Sequence, residues 1–165
     1  MIIRGFDPIS APDAQILILG SMPGVASLEA GQYYAHARNA FWPIMGELFG
    51  AGPEKPYAER KAILTANGVA VWDVLKFCRR EGSLDANIKA EVPNDFAAFF
   101  ADHPQIRRVG LNGGKAAKSF RKYAGAHAPF GAVATLLPST SPAYAALSLP
   151  RKCELWRAAL LDPAD

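Results

Sequence analysis

Aromatic rings and polar side chains alternate through residues 33–43, which hold the densest set of groups able to do chemistry. The segment reads Tyr33-Tyr34-Ala35-His36-Ala37-Arg38-Asn39-Ala40-Phe41-Trp42-Pro43. Stacking surfaces interleaved with hydrogen-bonding groups suit an unstacked nucleobase. The Asn39 carbonyl could orient a water molecule, and His36 is competent as a base. A structural alternative stays open, because Asn39 could cap the following helix and Phe41 could be an ordinary core residue.

A glycine-bounded loop, Gly20-Ser21-Met22-Pro23-Gly24, is the second candidate segment. Its glycines allow close approach of the backbone, and its proline stiffens the loop. Backbone N–H groups in such a loop can face an anion or the edge of a flat ligand. An ordinary loop at the end of a strand explains the same residues, so the loop alone does not decide the function.

Three more polar segments follow apolar runs of the chain. Asp73 ends one run, Asn112 ends another, and Ser139-Thr140-Ser141 lies between two prolines after the last. Hydroxyl groups and loop amides commonly contact phosphate oxygens. A plain turn is the alternative for the segment with three hydroxyls.

The Gly113-Gly114-Lys115 segment is similar to part of a phosphate-binding P-loop. The full motif needs an earlier glycine where this chain has Val109, and a Ser or Thr where it has Ala116. We therefore reject a nucleoside triphosphatase.

Four apolar runs and the patterns between them must position these segments. The runs predict buried strands over residues 14–20, 68–74, 107–112 and 132–137. Helical patterns cover 43–49, 55–66, a stretch from an Asn94 cap to His103, 115–123, and a last helix from about 149 to 160 with Pro150 in its first turn. This alternation predicts a three-layer α/β/α sandwich with a four-stranded parallel sheet. Ligands bind at the carboxyl ends of strands in such sheets, where the polar segments lie.

The composition fits one domain over residues 1–165, with half of the residues apolar and 20% charged. A net charge of +3 permits contact with a polyanion without requiring it. Cys78 and Cys153 are expected to be reduced thiols, and no spacing of His, Cys and carboxylates predicts a metal site or another cofactor. We find no membrane-spanning run and no signal peptide, and so expect a cytoplasmic protein.

Taken in order, these segments resemble the uracil-DNA glycosylase superfamily. The resemblance rests on Gly20-Ser21-Met22-Pro23-Gly24, on Tyr33-Tyr34 through Asn39-Ala40-Phe41-Trp42, and on Ser139-Thr140-Ser141-Pro142-Ala143. It runs from about residue 16 to the end of the chain, and it is greater to the branch that acts on hypoxanthine (deoxyinosine) in DNA. The order and spacing of the motifs, rather than any single one, make the resemblance specific. It implies the same sheet between helices.

The resemblance also implies roles for individual residues. Asn39 would position the attacking water, because Met22 stands where most of the superfamily has Asp or Asn. Asp73 stands where the uracil enzymes read the base with Asn, which indicates a different base edge. The loop around Thr140 lacks the histidine of those enzymes.

The remaining contacts complete this expected site. The base pocket would consist of Gly20, Ser21, Met22, Phe41 as stacking ring, Asp73 and Asn112. Contacts to the DNA backbone would come from Pro23, Gly24, Ser139, Thr140 and Ser141. Lys115 and Lys118 are expected on a solvated helix face near DNA, and His103 at a helix end or in the core.

The implied activity is that of a monofunctional DNA glycosylase without cofactor, acting as a monomer on DNA with a damaged base. It would flip out a deaminated base, hypoxanthine above all, and hydrolyse its glycosidic bond. Two alternatives stay open. One is excision of uracil or another deaminated base, and the other is a non-catalytic nucleic-acid-binding module of the same fold.

Overall fold

Seven strands and six α-helices form the part of the chain described by the structure, a computed structural model that covers residues 2–163. The strands are β1 (Ile2–Arg4), β2 (Ile16–Gly20), β3 (Val69–Asp73), β4 (Leu75–Arg79), β5 (Lys89–Pro93), β6 (Arg108–Asn112) and β7 (Val133–Leu137). The helices are α1 (Val25–Ala30), α2 (Phe41–Phe49), α3 (Tyr57–Ala66), α4 (Phe96–Asp102), α5 (Gly114–Tyr123) and α6 (Leu149–Leu161). Short 3₁₀ turns cover Asp85–Asn87 and Gly125–His127.

Strands β2, β3, β6 and β7 form a parallel sheet in the order β3-β2-β6-β7, which confirms the predicted four-stranded sheet. Gly20 pairs with Asp73 and Asn112 pairs with Leu137, so the ends of all four strands meet at one edge. Strands β2 and β3 are buried throughout. Strand β7 is the exposed edge strand, with Val133 62% exposed, so the prediction of a fourth buried strand was wrong. Strand β3 is the other edge, but the segment around Ile9 pairs with it at Val71.

Helices cover both faces of this sheet and complete the predicted three-layer α/β/α sandwich. Side chains alternate between the two faces along a strand. Leu17 and Leu19 of β2 therefore pack with helices α4 and α5, whereas Ile16 and Ile18 pack with α2, α3 and α6. The two apolar cores hold the strand ends in place below the polar edge.

A second, antiparallel sheet of β1, β4 and β5 was not predicted. Its strands are short, and β5 is polar and mostly exposed, so it shows no clear apolar alternation. Strand β4 begins two residues after the end of β3 and carries the chain away from the parallel sheet. The connection over residues 80–88 then returns to the carboxyl edge, where it contributes to the site described below.

The start of helix α4 differs from the prediction by one residue. Asp95 is the N-cap, since its side chain accepts a hydrogen bond from the Ala98 N–H at 3.0 Å. Asn94, the predicted cap, instead donates from Nδ2 to the backbone carbonyl of Asp73 at 2.8 Å. This contact ties the start of α4 to the end of β3. His103 lies buried at the end of α4, as expected.

Several other expectations concern the chain as a whole. Within residues 2–163, no helix combines the length and the apolar character needed to cross a membrane. Cys78 and Cys153 are both free thiols. The predicted single domain of 1–165 stays a prediction, and residues 1, 164 and 165 lie outside the described residues.

Candidate active site

A cavity of about 590 Å³ opens at the carboxyl edge of the parallel sheet. This volume lies within the range of about 300–1,000 Å³ that is typical of sites for small ligands. Its wall comes from the ends of β2, β3 and β6, the loop after β2 with the start of α1, the segment before α2, the connection between β4 and β5, and the loop after β7. The predicted site residues in the wall are Gly20, Ser21, Met22, Pro23, Gly24, Asn39, Asp73, Asn112, Ser139, Thr140 and Ser141. Phe41 is the predicted site residue that lies outside it.

The side chain of Asn39 lies at the cavity and is also bound to the start of helix α2. Its Oδ1 accepts a hydrogen bond from the Phe41 N–H at 2.9 Å, so the contact expected of a residue that supports a helix start is present. A carboxamide oxygen has two lone pairs, and the second can still accept from a water molecule. The bond to the helix fixes the orientation of the amide. Asn39 therefore supports the start of helix α2 and also lies at the cavity.

Tyr34, rather than Phe41, presents an aromatic ring to the cavity. Phe41 has no exposed surface, and Tyr34 is stacked on it with ring centroids 4.0 Å apart and planes inclined by 19°. The backbone of Tyr34 has a φ of 53°, in the left-handed region that non-glycine residues rarely adopt. The prediction that Phe41 contacts the ligand was wrong, because Tyr34 lines the cavity and Phe41 supports it from the core.

The carboxyl group of Asp73 is the buried acid of the cavity. Asp73 is 4% exposed, and its Oδ2 has no hydrogen-bond partner among residues 2–163. Burial, reinforced by the negative charge of Asp85 and opposed by Arg80, raises the pKa of Asp73 to about 7. At neutral pH this carboxyl group can both donate and accept hydrogen bonds, unlike an ordinary aspartate.

Asn112 and Thr140 form a buried pair that joins β6 to the loop after β7. The Asn112 amide donates to Thr140 Oγ1 and accepts from the Thr140 N–H, each at 3.0 Å. Thr140 is 1% exposed, and its carbonyl accepts from the Ala40 N–H at 2.9 Å. The prediction that Thr140 contacts the DNA backbone was therefore wrong. The pair instead holds the segment of Asn39 against the end of the sheet. The Asn112 amide keeps a second N–H and a second lone pair, so its contact with a base stays a prediction.

Buried contacts also fix the loop after β2. Ser21 donates from Oγ to Asp85 Oδ1 at 2.6 Å, and its carbonyl accepts from the Leu75 N–H. Pro23 is buried, and its carbonyl accepts from the guanidinium of Arg80. The side chain of Pro23 is therefore not available as the predicted DNA contact, whereas Gly24 stays partly exposed.

Two hydroxyl groups of the loop after β7 remain accessible. Ser139 and Ser141 are both partly exposed. Their oxygens accept hydrogen bonds from the N–H groups of Ser141 and Ala143 at 3.1 and 3.2 Å. Each O–H hydrogen is free of these contacts, so both hydroxyls can donate to an anion such as a phosphate.

The two lysines that were expected on a solvated helix face differ from one another. Lys118 is exposed, as expected. Lys115 forms an ion pair with Glu91 of β5, and its side chain is 21% exposed. The expectation of a solvated Lys115 was wrong, because strand β5 was not predicted and its glutamate could not be anticipated.

Sequence analysis did not identify several residues of the cavity wall. The sequence does contain a signal for Tyr34, since it is an aromatic residue within the segment 33–43. Ser83 and Asp85 belong to the unpredicted connection between β4 and β5, and no pattern in the sequence places them near the site. Within residues 2–163, no three His, Cys, Asp or Glu side chains are grouped so as to hold a metal ion.

The chain is similar in sequence to known proteins. Residues 7–162 match the uracil DNA glycosylase superfamily. The chain is 38% identical over 113 residues to a hypoxanthine DNA glycosylase from Methanosarcina barkeri (strain Fusaro), covering 68% of this chain and 72% of that protein. It is 35% identical over 159 residues to a hypoxanthine DNA glycosylase from Methanosarcina acetivorans, covering 96% of this chain and 98% of that protein.

A solved structure shares the fold over almost the whole chain. It is the solution NMR structure of a candidate uracil DNA glycosylase from Methanosarcina acetivorans. The TM-score is 0.79 at 34% sequence identity, and the match covers 94% of each chain. The similarity therefore extends over the fold of almost the whole chain.

Proposed function

The chain belongs to the uracil-DNA glycosylase superfamily, and from this membership we propose that it excises hypoxanthine from deoxyinosine in DNA. It is a DNA N-glycosylase, which replaces the bond between base and sugar with a bond to water. The observation that carries the proposal is the convergence of Asn39, Tyr34 and Asp73 on one cavity. These side chains supply a water-orienting amide, a stacking ring and an acid that can donate a hydrogen bond.

The base must leave the duplex before it can reach this cavity. Extrusion of a nucleotide costs a few kcal/mol, and a mispaired base is the least costly to extrude. The ring of Tyr34, supported by Phe41, provides the stacking surface that partly offsets this cost. Stacking of a base on an aromatic side chain is worth about 1–3 kcal/mol.

Hydrolysis then follows a path in which the base departs early. Breaking the glycosidic bond leaves positive charge on the sugar, and a water molecule adds to its C1′ carbon. Asn39 is not a base, but its fixed amide orients that water through the free lone pair of Oδ1. Orientation alone can lower the barrier substantially, because the reacting atoms are held at the required distance.

The loop after β7 holds the DNA strand during this reaction. Ser139 and Ser141 donate hydrogen bonds to phosphate oxygens, contacts that fix the position of the strand and do not depend on the base. The buried pair of Asn112 and Thr140 keeps this loop beside Asn39. We also propose that the protein acts as a monomer in the cytoplasm.

A base-release assay tests the proposal. Purified protein is incubated, without added metal, with oligonucleotides that carry a single deoxyinosine, deoxyuridine or deoxyxanthosine, and free bases are separated by chromatography. We expect hypoxanthine to be released fastest. Faster release of uracil would assign the chain to excision of a different base, and binding of every substrate without release would make it a non-catalytic nucleic-acid-binding module.

A further inference from the structure

Asp73 carries a buried carboxyl oxygen that no residue among 2–163 satisfies. Buried polar atoms in folded proteins almost always have a hydrogen-bond partner, and an exception indicates a catalytic role or a partner from outside the protein, such as water or a ligand. The side chain is 4% exposed and forms part of the cavity wall. A water molecule or a ligand in the cavity can therefore be the partner of this carboxyl group.

The end of strand β2 leaves space for that carboxyl group. A Cβ atom on Gly20 would lie 2.5 Å from Asp73 Oδ1 and 2.8 Å from the Tyr34 hydroxyl oxygen, so only glycine fits there without a shift. The Tyr34 hydroxyl is also buried and has no hydrogen-bond partner among the described residues. Two unsatisfied oxygen groups thus converge beside Gly20, on the floor of the cavity where the Tyr34 ring is available for stacking.

Burial is the main reason that the pKa of Asp73 is raised, and the neighbouring charges act in both directions. Asp85 adds a second negative charge from the 3₁₀ turn, and the hydroxyls of Tyr33 and Tyr34 stay neutral because burial raises their pKa values. Arg80 is the opposing cation, but it donates hydrogen bonds to the carbonyls of Pro23 and Gly82. Its contacts fix the two loops and include none with the Asp73 carboxyl group.

We propose that Asp73 is the general acid of the reaction and transfers its proton to the departing purine. This inference rests on the proposed function, and it gives Asp73 a role beyond recognition of a base edge. The C1′–N9 bond breaks and its electron pair moves into the purine. The carboxyl O–H bond breaks at the same time, and the proton binds to N7 of the purine, which leaves as a neutral base.

The remaining atoms balance through water and solvent. A water molecule oriented by Asn39 adds to C1′ and releases one proton to the solvent. The Asp73 carboxylate takes up a proton from the solvent before the next turnover. The acid is needed because an expelled purine without that proton would carry a full negative charge in a buried site.

Single-turnover release of hypoxanthine by the D73N variant tests this role. Asparagine keeps the size of the side chain and an N–H donor, but it has no proton to transfer. General acids contribute about 10²–10⁴-fold to rate, so we expect a loss of at least about 10²-fold in D73N. Between about pH 6 and pH 8 the wild-type rate should decline once Asp73 ionises, whereas the D73N rate should not change with pH.

A second variant, D85N, acts on Asp73 without replacing it. The amide oxygen introduced by this substitution can still accept the hydrogen bond of Ser21, while the negative charge that raises the pKa of Asp73 is removed. The alkaline decline of the rate should therefore move to lower pH. This arm remains informative if D73N does not fold, because residue 85 is exposed.

The outcomes separate this inference from the proposed function. Suppose that the wild type releases hypoxanthine. If D73N then has the same rate and pH dependence, or if the pH profile of D85N does not move, the role of Asp73 is overturned and hypoxanthine excision stands. A wild-type protein that releases no hypoxanthine at any pH would overturn both. The expected loss in D73N together with the shift in D85N would support both.

Discussion

The stability of the D73N variant, relative to that of the wild type, should increase as the pH rises. The ordinary pKa of this carboxyl group is 3.8, and burial in the folded state raises it to about 7. Because the folded protein holds the proton to higher pH than the unfolded chain, the stability of the wild type falls as the pH rises from about 4 to about 7. The asparagine side chain does not ionise, so the D73N variant escapes this loss.

The size of the effect follows from the difference between the two pKa values. One pKa unit is worth about 1.4 kcal/mol, so ionisation of Asp73 costs the folded state about 4 kcal/mol in total. About 2.5 kcal/mol of this loss falls between pH 5 and pH 8. The free energy of unfolding of D73N, relative to that of the wild type, should therefore rise by about 2.5 kcal/mol over this range.

Urea denaturation at pH 5 and at pH 8 measures this difference. Tryptophan fluorescence follows unfolding, since Trp42, Trp72 and Trp156 all lie in the core. Groups other than Asp73 titrate equally in both proteins and cancel in the comparison, provided that the dependence on urea concentration is the same. If the free energies of unfolding of D73N and wild type differ by the same amount at the two pH values, the Asp73 carboxyl group does not stay protonated near neutrality.

Two further predictions concern the contacts to the base and to the strand. The Y34A variant should lose about 1–3 kcal/mol of affinity for single-stranded DNA with a deoxyinosine, the value of one stacked base, whereas Y34F keeps the ring and should bind like the wild type. Equal binding by Y34A would remove Tyr34 as the stacking ring. The double variant S139A/S141A should bind all oligonucleotides more weakly, whatever base they carry, and undamaged DNA of the same sequence serves as the control. A loss of affinity only for DNA with deoxyinosine would contradict a contact of these serines with phosphate.

The parallel sheet could be predicted because its strands leave a strong signal in the sequence. Strands that are covered on both faces are almost wholly apolar, and β2 shows this clearly with Ile16-Leu17-Ile18-Leu19 before Gly20. The position of the cavity followed from the same prediction, since polar segments at the ends of parallel strands must converge. The small antiparallel sheet left no comparable signal, and the contacts that depend on it were missed.

The choice between neighbouring aromatic residues could not be made from the sequence. Tyr34 and Phe41 are both compatible with stacking, and only the structure shows that Phe41 is buried while Tyr34 lines the cavity. Asn112 and Thr140 illustrate the same limit. Each was a reasonable ligand contact by residue type, and only the structure shows that they bind each other and so join β6 to the loop after β7.

The most direct test of the account is the single-turnover rate of hypoxanthine release in two variants of Asn39. The N39D variant keeps an oxygen that accepts from the Phe41 N–H and can still orient water, so it should fold and retain activity. The N39A variant loses that oxygen, and its rate should fall by about 10²-fold or more, as when another oriented catalytic group is removed. Wild-type activity in a folded N39A protein would show that Asn39 only supports the start of helix α2, and the catalytic account would be wrong.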